Sequence, residues 1–159
     1  MLAGKILFLL FVANGAPIIL DKLLGNRYAW PLDGGRIFLD GQPLFGPSKT
    51  WRGMIGALTI TALAAESVGF SLVLGMMFAG AAMLGDLCSS FVKRRLGIRP
   101  SGMALGLDQI PESVLPLYLL RGEWGLTAWE ILLLVTAFLV LELILSRILY
   151  FLDIRKQPY

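Results

Sequence analysis

The sequence predicts an all-α integral membrane protein of about five transmembrane helices, with two functional cytosolic loops. Three observations carry this. The 159 residues are 57% hydrophobic and 16% charged, where a soluble domain carries about a quarter charged residues. The apolar residues fall into runs that, at about 1.5 Å per helical residue, approach the roughly 30 Å of a hydrocarbon core. The cations gather between those runs. With five alternating crossings, all of the 14 Lys and Arg residues except Lys5 and Arg121 fall on one side, and an excess of cations marks the cytoplasmic side. The net charge of +3 therefore reads as membrane topology, and no nucleic-acid partner is expected.

Taken in order, the first helix covers about 2–20 of a single domain, 1–159. Lys5 precedes an apolar run that leads into Asn14-Gly15-Ala16-Pro17 without a small-x-small cleavage site, so the helix is expected to be retained. Asn14 and Pro17 interrupt it, either as a kink with a helix-to-helix hydrogen bond or as substrate contacts. A polar loop follows over 21–52, rich in Gly and Pro but holding Trp30, Phe38 and Phe45, which suits packing on the membrane surface or the other loop. Its end, Gly46-Pro47-Ser48-Lys49-Thr50, is not a P-loop, because Lys49 does not follow Gly directly and no strand precedes it. Helices over 53–66 and 68–86 form a hairpin with Glu66 at the turn, and Gly53, Gly56, Gly75, Gly80, Ala81 and Ala82 permit close approach. After the second loop, 87–107, a helix over 103–121 carries Pro116. The run 109–120 alone covers about 18 Å, so this helix has to start near Gly102–Gly106 or continue past Gly122 to cross. Thr127-Ala128-Trp129-Glu130 fits a capping box opening the last helix, 128–152, before a polar tail over 153–159.

The chemistry available is narrow. One cysteine, Cys88, excludes an intrachain disulfide and is expected to serve packing. The absence of histidine excludes a His-ligated zinc site and limits any general base to a carboxylate, lysine, tyrosine or the substrate itself. The stretch 84–111 stands out, with Asp86 at one end, Lys93, Arg94, Arg95 and Arg99 in the middle and Asp108 at the other. If 86–95 is helical, Asp86, Ser90, Lys93 and Arg94 fall at i, i+4, i+7 and i+8, on one face. A carboxylate, a hydroxyl and two cations on one stripe can hold a magnesium ion and the phosphates it bridges, with a second carboxylate closing the site. The bland alternative is a helix end with interfacial cations, the aspartates serving as caps or ion-pair partners. Lys49 and Arg52 can bind phosphate, or anchor the next helix beside Trp51.

Gly85-Asp86, Ser90-x-x-Lys93-Arg94 and a Gly-containing loop to Asp108 resemble the signature of the phosphatidate cytidylyltransferase family. The fuller pattern is more similar to its small archaeal branch, the CDP-archaeol synthases. Its parts are Asn14-Gly15-Ala16-Pro17, Pro31-Leu32-Asp33-Gly34-Gly35, Asp40-Gly41, the run 44–53, the run 85–97 and Asp108-Gln109. The chain departs from the larger family at Arg99-Pro100, at Gln109, at Pro111-Glu112 and in lacking His-Gly-Gly. The resemblance implies Mg²⁺-dependent transfer of a cytidylyl group from CTP to a membrane lipid phosphate, either an archaeal diether phosphate or phosphatidate. It implies Asp86, Lys93 and Asp108 as catalytic residues, and Asp86, Asp108 and the candidate substitute Glu112 as metal ligands. Asn14, Asp33, Lys49, Thr50, Arg52, Ser90, Arg94 and Gln109 are the implied substrate-binding set. The lipid phosphate is already anionic, so positioning and charge neutralisation can carry such a reaction without a histidine base. Two other readings compete: a small transporter with Asn14, Asp86, Asp108 and Glu112 along a polar path, and a non-catalytic subunit binding lipid headgroups. The first is opposed by the lack of an internal repeat and by charges collected on one side.

Overall fold

A computed structural model describes residues 1–100, 102 and 104–151 of the chain. The polar tail over 153–159 and the end of the last helix at 152 lie outside the described residues. Among the described residues six helices follow in order: α1 Leu2–Leu24, α2 Trp51–Ser67, α3 Leu72–Arg95, α4 Gln109–Leu119, α5 Arg121–Trp124 and α6 Ala128–Phe151. Among the described residues there is no strand, only isolated bridges pairing Pro31 with Thr50 and Ile37 with Pro43.

Local chemistry sets most boundaries. α1 runs through Pro17 and on past the expected end at 20, stopping where Gly25 takes a positive φ of 52°. Thr50 caps α2 by accepting the Gly53 amide at 3.1 Å, and Ser71 caps α3 in the same way through Leu74. The expected start of α3 at 68 gives way to 72, because Gly69, at φ 85°, belongs to the turn. Its expected end at 86 was also too early. α3 continues to Arg95 and carries most of the cationic cluster on helix rather than loop. The Thr127–Glu130 capping box is present: Glu130 Oε2 accepts the Thr127 amide at 2.9 Å, and the Glu130 amide donates to Thr127 Oγ1.

Among the described residues three helices, α1, α3 and α6, are long and apolar enough to cross a membrane. The other two expected crossings are shorter. The 17 residues of α2 reach about 26 Å. α4 has 11 residues, about 17 Å, and neither starts near 102–106 nor runs unbroken past 122. Its carboxyl end breaks at Leu120, and α5 finishes on Gly125 in the left-handed conformation.

α3 is the central helix, packed by α1, α2 and α4, while α6 leans on α1 and α4. Ile6, Leu9 and Leu10 of α1, Phe78 of α3, Leu117 of α4 and Phe138 of α6 fill the main core. Small residues bring the helices close. A Cβ at Gly75 would stand 2.7 Å from Ala62 Cα, so α2 and α3 meet backbone to backbone. At Gly85 the contact is tighter, since a Cβ would fall 2.2 Å from the Pro111 carbonyl oxygen and 2.7 Å from Glu112 Cα. Gly85 therefore sets α4 directly against the turn of α3 that carries Asp86.

Candidate active site

The last three turns of α3 present Asp86, Ser90, Lys93 and Arg94 on one face, since the helix is unbroken to Arg95. Ser90, Lys93 and Arg94 are buried. Two segments close over this face. From the first loop, Lys49 Nζ donates to both oxygens of Asp86, at 2.6 and 2.5 Å. From the start of α4, Asp108 Oδ1 meets Lys93 Nζ at 2.6 Å, and Lys93 also donates to the Gly102 carbonyl at 3.1 Å. Asp108 Oδ2 in turn accepts the Ala104 amide. The pairs bring two carboxylates and two lysines from three segments to one end of the bundle.

Arg94 is a buried cation with donors to spare among the described residues. It is 4% exposed. One nitrogen, Nη2, donates to the Arg99 carbonyl at 3.0 Å, whereas Nε and Nη1 are buried with no hydrogen-bond partner among the described residues. A buried guanidinium with unpaired donors is costly unless a ligand supplies acceptors.

Asp33 shapes the loop that delivers Lys49. Its Oδ2 accepts the amides of Phe45 and Gly46 at 2.9 Å each, and Oδ1 accepts that of Gly35. Burial pushes the Asp33 carboxyl up, but these three amides outweigh it and hold the group below the ordinary carboxylate range. Gly46, at φ 93°, passes close to the Arg94 side chain. Arg95, which sequence reasoning left without a role, ties down the same loop. It donates to the Pro43 and Leu44 carbonyls, pairs with Asp40 and lies over the rings of Phe38 and Phe91.

Other expected site residues stand elsewhere or serve the scaffold. Arg52 turns away: it donates to the Gly25 and Arg27 carbonyls and to Asp21, binding α2 to the end of α1. Thr50 spends its hydroxyl on the α2 cap. Asn14 bonds within its own helix, donating to the Leu10 carbonyl at 3.0 Å, and Oδ1 is buried without a hydrogen-bond partner among the described residues. Gln109 is buried and accepts the Gly106 amide at 2.8 Å, closing the turn before α4. Cys88 is exposed on α3 and does not pack inside the bundle as expected.

Glu112 is buried on α4 and feels the charges of Asp86, Glu142, Lys49 and Asp108. Among the described residues no three acidic or thiol side chains gather into a group that could hold a metal, so Asp86, Asp108 and Glu112 do not form a ready-made three-carboxylate cage. Magnesium does not need one. It commonly takes one or two protein carboxylates and completes its shell with phosphate and water, and the hard oxygens of Asp86 and Asp108 fit that role.

A family model described as CarS-like, CDP-archaeol synthase, matches residues 58–159. The chain belongs to the CDP-archaeol synthase family. Curated relatives named CDP-archaeol synthase agree. The protein from Thermococcus onnurineus is 39% identical over 111 residues, 63% of this chain and 62% of that one. That from Hyperthermus butylicus is 40% identical over 104 residues, 62% of this chain and 59% of that one. These alignments thus span about three fifths of the relatives' length. The Sulfurisphaera tokodaii protein aligns more fully, 32% identical over 93% of this chain and 89% of its own. A solved structure described as an intramembrane enzyme for archaeal membrane lipids biosynthesis superposes with a TM-score of 0.70 at 29% identity, over 87% of this chain and 90% of that one. With all-helical architecture and, among the described residues, three helices long and apolar enough to span, the chain is an integral membrane member of that family.

Proposed function

We propose that the chain transfers a cytidylyl group from CTP to a membrane lipid phosphate, releasing pyrophosphate and a CDP-activated lipid. The observation that carries this is the face of α3, where carboxylates of Asp86 and Asp108 stand among Lys49, Lys93 and a buried Arg94, two of whose nitrogens have no hydrogen-bond partner among the described residues. Family membership and the name shared by the relatives support an archaeal diether phosphate as the acceptor. The cationic end of the bundle faces the cytoplasm in this reading, where CTP is available.

Each residue then has a task. Asp86 and Asp108 hold Mg²⁺, which when bound supplies charge neutralisation to the triphosphate. Arg94 offers Nε and Nη1, which have no hydrogen-bond partner among the described residues, to phosphate oxygens, and a planar guanidinium suits that contact. Lys49 and Lys93 are compact charges already at the carboxylates, placed to meet phosphate as the nucleotide arrives. Ser90, on the same stripe, is one turn from both Asp86 and Arg94. Nothing has to deprotonate the acceptor, because a lipid phosphate is an anionic nucleophile. Orientation and fixed positive charge supply the rate enhancement.

The test is direct. The purified protein is incubated with CTP, Mg²⁺ and an archaeal diether phosphate or phosphatidate, and pyrophosphate and CDP-lipid are followed. Product strictly dependent on CTP and a divalent ion is expected, and Asp86→Asn abolishes it while the protein remains folded in detergent. Failure to form product from either lipid, or full turnover by Asp86→Asn, removes the reading.

A further inference from the structure

We propose that the hairpin over residues 36–44, within the α1–α2 loop, is a membrane-interface anchor whose tip residues Ile37 and Leu39 sit in the headgroup–acyl boundary of an anionic bilayer.

The hairpin is well formed. Phe38 N donates to Gln42 O at 2.8 Å, Leu44 N to Arg36 O at 3.0 Å and Gly41 N to Phe38 O at 3.0 Å, while Asp40 Oδ1 accepts the Gln42 amide. Ile37 is bridged to Pro43 on the arm and Leu39 lies in the turn that follows Phe38. Phe38 meets Phe91 of α3 edge-on, with ring centroids 5.3 Å apart, and Arg95 lies over both rings. The hairpin is thereby fixed to α3, and its outer face leaves Ile37 69% and Leu39 97% exposed.

Two observations put that face at the membrane boundary. α3 exposes an apolar stripe from Val73 through Met77, Leu84, Cys88 and Val92 to Leu96, the surface expected against lipid. Along that helix Phe91 stands about 27 Å from Val73, close to the roughly 30 Å thickness of the hydrocarbon core, so Phe38 docks near the end of α3 that the cations Lys93, Arg94 and Arg95 mark. Independently, Trp51 opens α2 and donates its amide to the Trp30 carbonyl at 3.1 Å, and both indoles are exposed. Paired tryptophans at a helix end mark the same interfacial level.

The charges favour a lipid surface. Asp40, the acid of the hairpin, is paired with Arg95, and Arg36 is exposed beside Ile37, leaving a cation for anionic headgroups. Two apolar side chains at a tip are too little for a protein partner, whose interface takes about 800 Å² per side, but they suit shallow insertion. The second arm runs on through Phe45 and Gly46 to Lys49, so seating the tip also sets the depth at which Lys49 meets Asp86.

The test uses the full chain with Cys88→Ser and single cysteines introduced as Leu39→Cys, Leu84→Cys or Glu123→Cys. Each is labelled with an environment-sensitive fluorophore and reconstituted into phosphatidylcholine vesicles containing phosphatidylglycerol. The probe at 39 is expected to emit to the blue of the probe at 123, to resist aqueous iodide, and to be quenched more by lipids spin-labelled near the headgroup than at the chain end. The probe at 84 should show the reverse depth preference, which verifies correct insertion. Iodide quenching at 39 equal to that at 123 overturns the proposal. So does a blue-shifted probe at 39 that neither lipid quencher reaches, since that means contact with protein.

Discussion

Gly85→Ala is the sharpest test of how the site is held. A methyl group at Gly85 would lie 2.2 Å from the Pro111 carbonyl oxygen, where ordinary contact begins at 3.4 Å. The neighbouring atoms are backbone of α4 and cannot rotate away, so α4 has to retreat by about 1.2 Å or lose its register on α3. Overpacking of this kind costs about 1–3 kcal/mol of stability. The larger effect falls on chemistry, because Asp108 and Glu112 ride on α4 while Asp86, Lys93 and Arg94 stay on α3. A misplacement of about 1 Å costs on the order of 10²-fold in rate. CDP-lipid formation by Gly85→Ala is therefore expected to fall about 100-fold at a temperature where the detergent-solubilised protein is still folded. Gly75→Ala supplies the control, since its Cβ would stand 2.6 Å from Ala65 Cβ, about 15 Å further along α3 from the site. It should lower the thermal midpoint and spare kcat/KM. Equal activity in Gly85→Ala and the parent, or equal losses in both variants, would refute the reasoning.

Three further outcomes follow from single side chains. Arg94→Lys keeps the charge but replaces a planar fork by a point cation, so KM for CTP should rise roughly tenfold, about 1.4 kcal/mol, with stability little changed; an unaltered KM would take Arg94 out of the nucleotide site. Arg52→Gln should do the opposite, lowering thermal stability by loosening the α1–α2 joint while kcat and KM for CTP stay at parent values, because Arg52 bonds to Asp21, Gly25 and Arg27 around the end of α1. Asp33 carries a pH dependence. Its carboxyl is held below the ordinary range, so its contribution is fully present above about pH 4 and is lost as pH falls through the lowered value. Amide hydrogen exchange at Phe45 and Gly46 should lose protection over that acid range, and Asp33→Asn should show weak protection throughout with no acid step.

The apolar runs and the capping chemistry were legible because both are local. Hydrophobic length located α1, α3 and α6, and Thr127 with Glu130 announced the start of α6 through a bond that spans only three residues. The face of α3 was legible too, since a helical period alone fixes Asp86, Ser90, Lys93 and Arg94 to one side. What stayed hidden depends on distant contacts. Nothing near Gly85 in sequence says that Pro111 will press against it, and that contact is what lets so short a helix as α4 bring Asp108 to the site. Arg95 looked like one more interfacial cation until the loop from 36–44 folded back on it. Cys88, placed one helical turn from the exposed Leu84, follows the exposed stripe and not the buried one.

Lys49 and Arg52 show why residue type and spacing could not assign phosphate contacts within this loop. They are three positions apart, and the same chemistry suits both. Between them Thr50 pairs with Pro31 and caps α2, so the chain changes from extended to helical backbone there. Lys49 lies on the extended side, where the bridge aims it across the loop to Asp86. Arg52 lies on the helical side, and as the second residue of α2 it reaches Asp21 in the last turn of α1 and the carbonyls of Gly25 and Arg27 just beyond that helix. One guanidinium ties α2 to a carboxylate and two turn carbonyls at once. The cap at Thr50 thus marks the point where a lysine directed to Asp86 gives way to an arginine that holds the scaffold together.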